Sequence, residues 1–414
     1  MRPNHGVSHM LAALRSGSFV TEQRVRVYSA LLLIAYVATI VALIATADGI
    51  VDKAGRPLGT DFANVYSAGR LALEGQAPLA YDWPAHHAAQ KQVSGREDIP
   101  YYGWHYPPTF LLVAAALAIL PYLGALFVYQ AVTLAAYLGV VRSIAGRSEA
   151  WLLALAFPAV FVNVTHGHNG FITAALLGGA LLVLDRRPLL AGVLLGCLSY
   201  KPQLGLLVPL VLAVTGRWRV FGAAAVTVLA LVALTGAVLG ADVFTAFWHS
   251  LALTQLVVRE GAPGFYKIQS IYAALRLIGA PAGLANAAQL IVTLGAAVGV
   301  AALWRSAAAF ELKAAGLILA SVVATPYVLD YDLVVLAPAI AFLAVHGLRE
   351  GFAPYEAALL TALWVLPFIA RSVAELTAVS LAPVLLIAAF LLILERAGVL
   401  QHLSRASTSS ARGR

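Results

Sequence analysis

A chain of 414 residues that is 61% hydrophobic and only 11% charged, with mean hydropathy +0.86, cannot be a water-soluble globular protein, since soluble domains carry about 25% charged residues. Its apolar runs are continuous rather than alternating, which excludes a transmembrane β-barrel and predicts an all-α polytopic membrane protein. The formal net charge of +8 sits in Arg residues of short turns and the two ends, a pattern of membrane orientation and not of nucleic-acid binding, and the single Cys197 excludes a disulfide framework.

In chain order, residues 1–26 form a cytoplasmic segment, because Arg15, Arg24 and Arg26 precede the first apolar run. That run starts near Tyr28 and reads as an anchor, with no cleavable signal peptide evident. Spans are predicted near 27–47, 125–141, 150–165, 169–184, 188–200, 202–215, 219–239, 281–304, 312–328, 331–347, 354–370 and 378–395. Basic residues at Arg142 and Arg147, Arg186 and Arg187, Arg217 and Arg219, Arg305 and Lys313, Arg349, and Arg396 and Arg405 mark cytoplasmic sides. The stretch 107–120, just 14 residues bounded by prolines, reads as an interfacial or re-entrant helix. The sum is one integral-membrane domain over 27–400, with about twelve crossings and both termini inside. Residues 401–414, rich in Ser and Arg, read as a disordered cytoplasmic tail.

Under that topology the unusual polar groups fall on one outer face. The largest set is a first extracytoplasmic loop, 48–106, with Asp61, Glu74, Asp82, Glu97 and Asp98. Asp61 reads either as a general base at the membrane surface or as the N-cap of a helix over 62–74. Tyr81-Asp82-Trp83 and Tyr101-Tyr102-Gly103-Trp104-His105-Tyr106-Pro107-Pro108 read as rings that stack on sugars or as an interfacial aromatic belt. His166-Gly167-His168-Asn169-Gly170 has two histidines but no acid or Cys to complete a metal set, so a tight polar glycine turn is the better reading. Lys201, in Tyr200-Lys201-Pro202-Gln203, holds a lipid phosphate or snorkels to headgroups. A second long outer loop, 241–280, places Arg259, Lys267 and Arg276 against the positive-inside trend, beside Gln269 and Ser270; a phosphate is one reason, and pairing with Glu260 is the alternative for Arg259. Asp330 and Asp332, flanking Tyr331, hold a metal, a sugar or an Arg, or cap the next helix. There is no phosphate-binding glycine loop and no spaced zinc set.

These motifs, in this order, resemble glycosyltransferase family 87, within the membrane glycosyltransferases of the GT-C fold. The matching residues are Asp61-Phe62 with Tyr66, Gly75 to Tyr81-Asp82, Tyr106-Pro107-Pro108, Gly167–Gly170, Ala191-Gly192, Tyr200-Lys201-Pro202-Gln203, Gly216-Arg217-Trp218, Gln269-Ser270, Thr325-Pro326-Tyr327 and Tyr331-Asp332. The resemblance spans most of 25–395, and His168 departs from it, standing where the family often has Gln. It implies transfer of a sugar from a polyprenyl-phosphate donor to an acceptor outside the cytoplasmic membrane; the sugar and acceptor do not follow from it, and the expectation is a hexose or pentose, mannose-type favoured, and a lipid or glycan acceptor. Asp61 maps to the catalytic Asp of the family's first outer loop and would take the acceptor's proton in an inverting displacement. The donor phosphate would lie on Lys201 and on Arg259, Lys267 or Arg276. Tyr66, Tyr81, Asp82, Trp104, His105, Tyr106, His168, Asn169, Gln203, Gln269, Tyr331 and Asp332 would position the substrates. No metal or other cofactor is needed, because phosphate is a good leaving group. The rival is a transporter or flippase of lipid-linked sugars, which predicts internal repeats and helices broken at mid-membrane; the sequence displays neither.

Overall fold

The structure, a computed structural model, describes residues 5–147 and 150–401; the tail expected over 401–414 lies outside them except for Gln401. Helix α1 (His5–Ser16) turns into α2 (Glu22–Ala45), which Thr21 caps by accepting a hydrogen bond from the Arg24 amide. With 24 residues α2 is about 36 Å long, enough to cross a bilayer. It buries only Ser29 and Tyr36. Tyr36 is its mid-span attachment, stacked on Phe161 at 4.7 Å and donating to the Ala156 carbonyl at 3.4 Å.

The first polar loop folds as a small helical layer. Helix α3 (Thr60–Leu73) is buried on nearly every face and packs on α5 (Leu111–Ala118), with Gly69 so close that a Cβ there would lie 2.1 Å from the Ala114 carbonyl oxygen. Between them runs α4 (Trp83–Ser94), capped by Asp82, which accepts from the Ala85 amide at 2.9 Å. The expected start of the first loop helix is corrected: α3 begins at Thr60 with Gly59 as its N-cap, and Asp61 lies inside the first turn, making no cap hydrogen bond. The short apolar stretch after Pro107 is a 3-10 turn followed by α5, a helix of 8 residues.

The remainder is a bundle: α6 (Tyr122–Ala145), α7 (Ala150–Leu155), α8 (Pro158–His166), α9 (Gly170–Val183), α10 (Pro188–Cys197), α11 (Val208–Val214), α12 (Trp218–Leu239), α13 (Asp242–Glu260), α14 (Ile271–Leu277), α15 (Ala282–Arg305), α16 (Phe310–Val323), α17 (Leu336–Glu350), α18 (Glu356–Thr377) and α19 (Leu381–Arg396). Among the described residues, six helices are long and apolar enough to cross a membrane: α2, α6, α12, α15, the continuous 330–350 segment and α18. Others of the expected dozen are shorter apolar pieces. The span read over 150–165 is interrupted before Pro158, and 188–215 is two helices joined by 3-10 turns at Leu198–Tyr200 and Pro202–Gly205. Proline cannot donate the hydrogen bond that would continue a helix through it, so each segment restarts there. Broken helices are therefore present, although hydropathy alone displayed none. Within the long connector expected over 241–280, 19 residues form α13, whose Phe, Trp and Leu side chains recur at helical spacing.

Charge separates the two ends of the bundle. At one end Arg396 pairs with fully buried Glu356, Arg349 with Glu311 at 2.7 Å, and Arg217 with Asp185 at 2.5 Å. The same end anchors α1, where the Tyr355 amide donates to the Arg15 carbonyl at 3.0 Å. The other end carries α3 and the 3-10 turns at Leu198–Tyr200 and Pro202–Gly205. For the packing that fixes α3 we expect Gly69→Ala to lower stability by about 1–3 kcal/mol, because the added methyl overpacks a rigid backbone contact. A thermal unfolding curve in detergent indistinguishable from wild type would contradict that packing.

Candidate active site

At that second end a cavity of about 470 Å³ opens between the first loop layer and the bundle. From the first loop it is lined by Arg56, Thr60, Asp61, Asn64, Tyr101, Tyr102, His105 and Tyr106. The bundle supplies His166, Lys267, Tyr327, Asp330, Tyr331 and Arg371.

Its centre is the first turn of α3. Buried polar atoms are almost always hydrogen-bonded. Here Thr60 Oγ1, Asp61 Oδ2 and Asn64 Oδ1 are all buried without a protein partner, on one turn and on the cavity wall. Burial pushes the Asp61 carboxyl up to about 6, with nearby Asp330 adding to the rise, while His166, Lys201 and Lys267 oppose it. A carboxylate so placed is a proton acceptor poised near neutral pH.

Facing it is Lys267, in a 3-10 turn after Gly264. Among the described residues no carboxylate lies within ion-pair distance of its ammonium, which instead sits 5.9 Å from the Tyr266 ring centre. Burial holds its proton affinity below the usual lysine range. Gln269 supports this turn by donating to the Lys267 carbonyl at 2.9 Å, while its own amide bonds to the Val328 carbonyl at 2.7 Å. A second cation, Arg371, is held 3.6 Å from Asp330, and a third, Arg56, 3.2 Å from Asp52.

Aromatic groups complete the wall. His105 bonds to Thr254 through Nδ1 at 3.0 Å, and burial drops its proton affinity to about 4, so the ring is neutral at physiological pH. Tyr106 faces His168 Nε2 at 3.4 Å and packs on Phe110. Tyr81 and Trp104 stand behind Tyr106: the Tyr81 hydroxyl donates to the Tyr106 carbonyl at 3.0 Å, and the buried Trp104 ring packs on Tyr106 at 5.0 Å.

Behind the lining residues is a polar knot. Buried Lys201 donates to Asp332 at 2.5 Å and to Asn169 Oδ1 at 2.7 Å. The second Asp332 oxygen accepts from the Leu329 amide, so this acid does cap its helix as well. Tyr200 donates to the Asn169 carbonyl, Thr325 to the Gln203 carbonyl, and Asn163 to the Tyr331 carbonyl at 2.6 Å. His168 stacks on Tyr331 at 3.6 Å. Gly167 makes the turn above it with φ +60°, and a Cβ there would meet Phe62 Cβ at 2.6 Å.

Of the residues singled out from sequence, Asp61, His105, Tyr106, Lys267 and Tyr331 share the cavity. Lys201, Asn169, His168, Gln203 and Asp332 do not line it but form a buried knot behind the lining residues Tyr106 and Tyr331, and Gln269 backs Lys267. Tyr66 is placed elsewhere, donating to the Leu120 carbonyl within the Phe62–Tyr122 cluster, and Asp82 is a helix cap. Arg259 is exposed, 3.8 Å from Glu260, and Arg276 bonds to the Ala280 carbonyl over the Phe265 ring; neither lines the cavity. Sequence reasoning missed Asn64, Arg56, His166 and Arg371 as site residues. Arg371 and Arg56 carry the signal used for Lys267, a cation against the positive-inside trend; Asn64 lies one helical turn from Asp61. Among the described residues no cluster of three or more His, Cys, Asp or Glu side chains is shaped for a metal.

The described residues form a helical membrane protein with an acid, an unpaired cation and aromatic walls gathered at one end. The particular family follows from comparison: glycosyltransferase family 87 matches residues 104–329, more than half of the chain, and the chain belongs to it. The matched segment holds His105, Tyr106, His168, Lys201 and Lys267 but ends before Asp330, and Asp61 precedes it. No curated protein and no solved structure matches the chain.

The knot has its own test. Lys201→Met leaves Asp332 buried and unpaired and should cost about 3–5 kcal/mol of stability. Lys201→Met/Asp332→Asn should recover most of it in the same thermal melt; additive losses would show that the two side chains do not act as a pair.

Proposed function

We propose that the chain transfers a sugar from a polyprenyl-phosphate donor to a lipid or glycan acceptor, at the outer face of the cytoplasmic membrane. The observation that carries this reading is Asp61: a buried carboxylate with an unpartnered oxygen, on the wall of a cavity that also holds the unpaired Lys267. The acceptor hydroxyl gives its proton to Asp61 as its oxygen bonds to the anomeric carbon. The bond from that carbon to the phosphate oxygen breaks on the opposite face, so the configuration inverts. The electron pair leaves with the polyprenyl phosphate, whose charge Lys267 stabilises, with Arg371 at the rim. Phosphate needs no general acid as a leaving group, so one carboxylate suffices. Lys201, engaged by Asp332, holds the knot in this scheme instead of touching the donor. The rings of Tyr102, Tyr106 and Tyr331 offer faces for the sugars. Orientation is supported by the basic groups near Arg15, Arg349 and Arg396 at the opposite end, as cytoplasmic ends require.

The test is reconstituted full-length protein with a panel of polyprenyl-phosphate sugars and an envelope-lipid extract, read by mass spectrometry. Asp61→Asn should lose about 10²-fold or more of the transfer. Asp61 must be ionised to act, and its carboxyl sits near 6, so wild-type turnover should fall as pH drops through about 6 and level off above it. Lys267→Gln should raise KM for the donor. Full turnover by a folded Asp61→Asn protein would remove the base from the scheme, and Asp61-independent movement of intact donor between leaflets would make the protein a carrier.

A further inference from the structure

The bundle has a second large hollow, unconnected with the chemistry above. Helix α2 packs beside α7 and stacks Tyr36 on Phe161 at mid-span, while before its start Gly17 sits on Ala357 and the Arg15 carbonyl of α1 accepts from the Tyr355 amide. Beside these attachments, where Ser29 is also buried, runs a groove of about 770 Å³. Its walls are α2 from Arg24 to Leu32 on one side and α18 on the other, with Leu153, Pro158 and Ala344 of α17 between them. Asp61 follows the far end of α2, so the groove lies in the half of the membrane away from the catalytic cavity.

We propose that this groove binds one anionic glycerophospholipid, with its acyl chains between α2 and α18 and its phosphate on Arg24. Three observations choose that occupant. The lining is irregular, with bulky Phe352, Leu360, Trp364 and Phe368 beside small Ser29, Ala344 and Ala357, a relief that flexible hydrocarbon chains fill more readily than a rigid helix face does. The one strongly polar group on the walls, Arg24, is exposed, and among the described residues no carboxylate lies within ion-pair distance of it. It gives one hydrogen bond to the Phe19 carbonyl at 3.0 Å and keeps its other donors for a phosphate. Finally, Arg24 stands at the very start of a spanning helix, at headgroup level, where basic residues attract anionic lipid. The volume falls within the range of ordinary ligand sites.

The experiment is native mass spectrometry of the delipidated full chain, titrated with phosphatidylglycerol or phosphatidylcholine. Wild type should retain one phosphatidylglycerol more tightly than any further copy and more tightly than phosphatidylcholine. Arg24→Glu should weaken that first binding about tenfold or more and leave phosphatidylcholine unaffected. Ala344→Trp, which fills the groove, should abolish it; if that variant does not fold, the exposed Arg24→Gln change carries the test with a smaller loss. Equal binding by wild type and the Arg24 variants overturns the proposal, as does equal affinity for the two lipids. So does preferential retention of a polyprenyl phosphate at this site, or a dimer in nanodiscs that Ala344→Trp dissolves. Each of these results is independent of whether Asp61 supports transfer.

Discussion

The buried pair of Lys201 and Asp332 is the contact on which the rest of the site depends. An apolar bundle must satisfy every broken backbone turn internally, because lipid offers no hydrogen bonds. Here the breaks at 167–169, 198–205 and 324–335 converge, and each is closed by groups from another: Thr325 onto Gln203, Tyr200 onto Asn169, Asn163 onto Tyr331. The ion pair sits at the crossing of all three. Tyr331 and Asp330 reach the cavity from that knot, so the knot sets the depth and shape of the floor. A charge pair this buried contributes little net stability, yet removing one partner is costly. Its value is geometric: it admits one arrangement of three irregular segments.

Above the floor, the electrostatics are a balance. Asp61 is pushed toward neutrality by burial and by Asp330, and pulled toward ionisation by His166, Lys201 and Lys267. Since Asp332 largely cancels Lys201, and Arg371 partly cancels Asp330, the uncancelled cation near Asp61 is Lys267. Binding an anionic group at Lys267 would reduce the pull that keeps Asp61 charged and so raise the basicity of its carboxylate.

Much of this was legible in the chain. Hydropathy located most of the helices, and the acidic aromatic island marked the site because charges are expensive near a bilayer. Asp61, His105, Tyr106 and Lys267 were found by residue type and by position against the charge trend. What sequence cannot separate is a side chain that faces a cavity from one that faces its own scaffold. Tyr66 and Tyr81 have the same chemistry as Tyr106, and only three-dimensional packing turns their hydroxyls onto the Leu120 and Tyr106 carbonyls. Lys201 looked like a free cation because its partner is distant in sequence. The break at 200–202 was read from Tyr200-Lys201-Pro202-Gln203, whereas the one before Pro158 was hidden because apolar residues on both sides of it read as continuous hydropathy, although the proline itself was the signal.

That distance has a consequence for how the protein is made. Lys201 and Asp332 are 131 residues apart, so at ordinary synthesis rates the lysine emerges roughly 7–26 s before its counter-ion. For that interval a cation belonging at the heart of the bundle has no acid to meet. The hairpin carrying it must wait at the membrane edge, or shielded by another protein, until α16 and the turn after it are inserted. The knot therefore closes only when Asp332 arrives, and the cavity wall is completed later still, by Arg371 on α18.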